Sequence, residues 1–106
     1  MSRRRRVPAA VREGRKLCAF EFDPLWKPAA SIARRPLTAL ERADLQAAAK
    51  LTAFAWLAAQ LGLQRLSSFD DIADLELLRR AYQLIWNATI NDVRAWADAR
   101  EAAVLA

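Results

Sequence analysis

The sequence predicts an all-α protein: an antiparallel two-helix hairpin, paired or partner-docked into a helical bundle, behind a basic arm and an irregular strap. Three observations carry that expectation. After Pro36 the chain contains no proline and one glycine, Gly62, so backbone breakers are nearly absent from the last seventy residues. Thr38-Ala39-Leu40-Glu41 has the spacing of a capping box, in which a threonine hydroxyl and a glutamate satisfy each other's end of a helix start. On both sides of Gly62, apolar residues recur three and four apart, the period of an amphipathic helix.

Residues 1–16 combine high charge with few large apolar side chains. They are expected to be a flexible arm, because nothing in them offsets the entropy of ordering. Residues 17–37 are expected to be an extended strap, with room for a turn or two of helix over Ala29 to Arg35 before Pro36 stops it. Cys18, Phe20 and Phe22 alternate along it, and Pro24 and Pro28 bracket Leu25 and Trp26, which argues against regular helix. The body is then residues 38–106, with helices over about 38–61 and 69–100. In the first, Leu40, Ala43, Ala47, Leu51, Phe54, Ala58 and Leu61 form one stripe expected to face the core. Gly62 ends it. Ser67 or Ser68 is expected to cap the second helix. Along that helix Ile72, Leu75, Leu78, Tyr82, Ile85, Thr89, Val93 and Trp96 share a side, and its weakest stretch lies near Asn87. Its apolar face is too wide for a single partner helix, so the strap or a second copy of the hairpin is expected to cover the remainder.

Charge is divided unevenly. Residues 1–35 carry ten basic and three acidic side chains, a net of +7, whereas residues 36–106 carry seven basic and nine acidic, a net of −2. The type bias towards arginine is what a GC-rich coding sequence produces. The clustering is what suggests a polyanionic partner.

The chain contains no histidine, which removes the commonest general base and metal ligand. It also has no glycine-rich phosphate loop. The acids Asp70, Asp71, Asp74 and Glu76 suit the positive end of a helix dipole better than catalysis. The expectation is a non-enzymatic protein without metal or cofactor. The single cysteine, Cys18, fits a reducing compartment. No apolar run is long enough for a membrane span, and no continuous apolar segment follows the charged start as in a signal peptide. These features lead us to expect a cytoplasmic location and no membrane partner. Around Gly62 the first half of a helix-turn-helix is present, but its second half would need Ser68 and Asp71 to pack inwards, so an ordinary interhelical loop is preferred. Asn87-Ala88-Thr89 matches a glycosylation sequon within a helical pattern, which is read as chance.

The function expected is binding to nucleic acid without sequence readout, as in an accessory subunit of a nucleoprotein complex or a phage or plasmid DNA-handling factor. The expected contacts are Arg3, Arg4, Arg5, Arg6, Arg12, Arg15, Lys16, Arg34 and Arg35. The alternative is a protein–protein interaction module, either an assembly subunit or an inhibitor of a larger machine. It would use Phe20, Phe22, Trp26 and Trp86 as apolar anchors. A homodimer is compatible with both.

Overall fold

The structure is a computed structural model, and its described residues are 7–19 and 24–105. Among them there are four α-helices and no strand: α1 (Ala9–Cys18), α2 (Trp26–Ala33), α3 (Ala39–Leu61) and α4 (Leu75–Leu105), with a single 3₁₀ turn at Phe69–Asp71. The long helices α3 and α4 pack together, and α1 and α2 both pack on α4. None of these helices is long and apolar enough to cross a membrane.

The start and end of α3 follow their local chemistry. Thr38 is extended, and its hydroxyl accepts from the Glu41 amide at 3.1 Å. The Glu41 carboxylate accepts from the Thr38 amide at 3.0 Å, completing the box. The same carboxylate receives two bonds from the Arg35 guanidinium, at 2.7 and 2.5 Å. The Arg35 bonds first, and the Thr38 amide after them, hold the Glu41 carboxyl at about 2. Its pKa is therefore depressed, so this interaction is complete above the ordinary carboxylate range and is lost as pH falls towards 2.

At the other end, Gly62 adopts φ +68°, with the Leu63 amide bonded back to the Ala58 carbonyl at 2.8 Å. This is a Schellman ending. Helix α2 ends in the same way, with Arg35 N–H reaching the Ala30 carbonyl at 3.2 Å, but the left-handed position is held by Arg34 at φ 59°. A side chain there is strained by roughly 1 kcal/mol. Arg34→Gly is therefore expected to stabilise the protein by up to about 1 kcal/mol, raising Tm by about 4–8 °C in a thermal melt.

Four expectations are corrected. The arm is not structureless throughout, because Ala9–Cys18 is α1. Its buried Val11 and Cys18 join a core cluster with Leu57, Leu78, Ala81 and Ile85, and that burial offsets the ordering entropy. The strap is not extended throughout either. Pro28 occupies the first turn of α2, where a missing amide costs little. Ser68 caps the 3₁₀ turn, accepting from Asp70 N–H at 3.1 Å. Asp74 takes over as the cap of α4, its Oδ1 accepting from Glu76 and Leu77 at 2.9 and 3.3 Å.

The fourth correction concerns α3. Its buried line is Leu45, Ala49, Ala53, Leu57 and Ala58. Leu40 and Leu51, placed in the expected stripe, are instead 72% and 71% exposed. The polar residues beside the buried line do not all face solvent. Gln46 Nε2 donates at 2.9 Å to the Ala19 carbonyl that ends α1.

Helix α4 is continuous through Asn87, whose side chain accepts from Gln83 at 3.2 Å. Two clusters line it. Ala53 and Leu57, late in α3, group with Leu78, Ala81 and Ile85, early in α4. Leu45, early in α3, groups with Ile90 and Val93, together with Ala29 and Ala33 of α2. The wide face of α4 is thus covered by the chain's own α1 and α2.

Candidate nucleic-acid interface

Helix α1 separates its apolar and basic residues. Val11 and Cys18 are buried towards the core, and Gly14 allows close approach: a Cβ there would lie 3.4 Å from Leu78 Cβ and 3.6 Å from Leu75 Cδ1. Arg12, Arg15 and Lys16, three and four apart, fall on another side. With the α1 backbone held close to α4, these side chains are carried to the rim of one groove.

That groove, about 350 Å³, is lined by Arg12, Arg15 and Lys16 from α1, Lys50 and Phe54 from α3, and Ser67 to Asp70 from the connection. Arg15 is half-buried and fixed, its Nε donating at 2.8 Å to the Ile72 carbonyl. Phe54 and Phe69 stack beneath at 4.5 Å between ring centroids, tilted by 35°. Among the described residues, the lining therefore carries four basic side chains and one carboxylate, Asp70, on a partly apolar floor. Crowded positive charge of this kind is compensated well by phosphate oxygens.

Cys18, the last residue of α1, has no exposed surface. Its thiol is within 3.4 Å of the Leu78 carbonyl, to which it donates, and burial pushes its pKa to about 12. It is therefore a packing group, poorly suited to act as a nucleophile.

The other expected basic contacts are elsewhere. Arg35 is paired with Glu41. Arg34 lines a second groove, about 370 Å³, with Arg94 and Arg100 but also Asp98 and Glu101, so its charge is largely balanced. Arg80 pairs with Glu76 at 3.3 Å on the surface of α4. Arg3 to Arg6 lie outside the described residues, as do Phe20 and Phe22.

The expected apolar anchors that are described have partners within the chain. Trp26 and Trp86 are partly buried against both clusters, and Tyr82 meets Trp86 edge to face at 6.3 Å.

Lys50 was missed by sequence reasoning. Its signal is that it is the only charged residue between Asp44 and Arg65. Among the described residues, no group of three or more cysteine, aspartate or glutamate side chains is placed to hold a metal ion. No protein family matches the chain, and neither curated proteins nor solved structures show a match.

Proposed function

We propose that the protein binds nucleic acid through its phosphate backbone, with Arg12, Arg15, Lys16 and Lys50 forming the centre of the contact. It acts by binding, as an accessory component of a nucleoprotein complex would. The observation that carries this reading is the convergence of four basic side chains from two helices on one groove, whose described lining holds one acid, Asp70. Arg3 to Arg6 precede α1 in the sequence and add four positive charges to the same segment of the chain. Contacts of this kind position a polyanion without reading bases. The partner class is therefore duplex or single-stranded nucleic acid of arbitrary sequence.

The test is fluorescence anisotropy with unrelated DNA and RNA, duplex and single-stranded, over a range of salt concentrations. Each phosphate neutralised on duplex DNA adds about −0.9 to the slope of log affinity against log salt. Replacing Arg12, Lys16 and Lys50 together by Gln is expected to make that slope shallower by about 2.7. The reduction should be similar for every duplex sequence tested. Arg15 is left intact because it ties α1 to the Ile72 carbonyl. Absence of binding to all the probes, or a slope unchanged by the triple substitution in a protein of normal helicity, would sink the proposal.

A further inference from the structure

Resting on the binding role proposed above, we infer that the protein selects single-stranded over duplex nucleic acid, because a second groove beside the basic one takes an unpaired base. The two grooves share a wall, and Phe54 lines both. Local structure explains why they adjoin. Gly62 at φ +68° turns the chain at the end of α3, and the connection then returns along that helix. Leu63 to Leu66 meet the stretch from Leu51 to Ala59. Ser67 to Asp70 then meet Lys50 and Phe54, where α1 closes the basic groove.

The grooves differ in character. The second, about 450 Å³, is walled by Leu51, Ala55, Leu63 and Leu66 as well as Phe54, and among its described lining residues only Arg65 is charged. No acidic residue lies between Asp44 and Asp70 in the sequence. The surface thus passes from crowded positive charge to an apolar trough across one aromatic ring.

That order of chemistries selects the occupant. Across the described linings of both grooves there are five basic side chains and one acid, Asp70, so the occupant is anionic. Its next group has to be apolar, since Leu51 and Leu63 are exposed beside Phe54. A single strand alternates phosphates with bases whose faces are open, and a basic groove beside an aromatic ring is how such strands are held without sequence preference. Phe69 packs on Phe54 at 4.5 Å between centroids, which holds the ring in place and lowers the ordering cost of stacking a base on it. A duplex offers no such group. Its bases are paired inside, and it would lay phosphates over Leu51 and Leu63, removing their water without a partner. From Lys50 to Ala59 the helix advances about 14 Å. At ~3.4 Å per phosphate of a stacked strand, this length takes no more than about four nucleotides.

The sign of the preference is diagnostic. Phosphate contacts alone favour the duplex, where each neutralised phosphate contributes about 0.9 to the salt slope against about 0.7 on a single strand. Tighter binding of the single strand therefore requires contact with bases.

The experiment compares an oligothymidylate, a duplex and an abasic strand of equal length by fluorescence anisotropy at one salt concentration. The oligothymidylate is expected to bind about tenfold tighter than either of the others. Two variants locate the base. Phe54→Leu keeps an apolar side chain against Phe69, and Leu51→Gln combined with Leu63→Gln changes only exposed positions. Each is expected to lower the ratio of single-strand to duplex affinity about fivefold or more. A duplex or an abasic strand bound as tightly as the oligothymidylate overturns the inference and leaves the phosphate contact standing. A single-strand preference that both variants leave intact overturns the second groove as the seat of the base. Displacement of the oligothymidylate by a glutamate–tyrosine copolymer at equal charge, lost in Phe54→Leu, assigns the groove to an acidic peptide instead. Absence of binding to every nucleic-acid probe sinks this inference and the proposed function together.

Discussion

Replacing Leu78 by alanine is expected to cost about 2–5 kcal/mol and to lower Tm by at least 10 °C on the order of magnitude implied for a domain this size. Leu78 has no exposed surface and stands in the cluster that joins α1, α3 and α4. Its Cβ and Cδ1 are the atoms nearest to Gly14, and its carbonyl accepts the Cys18 thiol. Removing its branched end leaves a void walled by three helices, none of which can collapse into it without abandoning its other contacts. A small domain holds only about 5–15 kcal/mol in total, so this one truncation removes a large share. Urea unfolding measures the loss. A cost under about 1 kcal/mol would mean that α1 does not pack on α4 as described.

The second large effect is expected at Gly14. Valine there places a Cβ 3.4 Å from the Leu78 Cβ and Cδ1, with further contact at Leu75, and two more methyls have to enter the same seam. Overpacking of this sort costs about 1–3 kcal/mol. A helix of ten residues is barely stable by itself, so α1 is expected to undock while α3 and α4 stay paired. Two readouts separate local release from global unfolding. The Cys18 thiol, now held near 12 by burial, returns towards its ordinary value and becomes reactive to a thiol reagent at neutral pH. Hydrogen exchange rises over α1 but not in the middle of α4. On the proposed function, affinity for nucleic acid is expected to fall at the same time, because three of the four basic groups at the groove belong to α1. Gly14→Ala is the control, with a Cβ at the edge of ordinary contact offset by a gain of about 1 kcal/mol in helix propensity. Unchanged thiol reactivity in Gly14→Val would show that the seam tolerates the larger side chain.

How far the fold was legible depends on how local its causes are. The ends of α3 were readable because a capping box and a glycine act within a few residues. The apolar side of α4 was readable because large side chains mark it: Leu78, Ile85 and Val93 are all buried, although Ile72 lies before the helix starts and Trp96 is 38% exposed. Helix α1 was not readable, because what holds it is a missing side chain at Gly14, a small thiol at Cys18 and a guanidinium bonded to a carbonyl 57 residues away.

The face of α3 was misjudged because the helix has two apolar sides. The buried side uses Leu45, Ala49, Ala53 and Leu57, the exposed one Leu40, Ala47, Leu51 and Ala55, and periodicity alone does not rank them. What decides is Gln46, a polar residue engaged in capping α1 rather than in meeting solvent. The groove shows the same limit. Its α1 residues stood out as a charge cluster, but Lys50 joins them only through the packing of α3.

The long-range side-chain bonds that close the two N-terminal helices set an order of events during synthesis. Gln46 reaches the last carbonyl of the α1 segment, and Arg100 reaches the Ala33 carbonyl that ends α2, 67 residues earlier in the chain. The surface on which α1 and α2 dock belongs mainly to α4, the last of these four helices to be made. A nascent chain therefore carries its N-terminal basic segment without a docking site until α4 has been made, and closing such distant contacts slows folding. During that interval the arginines are accessible to any polyanion nearby, including the RNA of the translating ribosome itself.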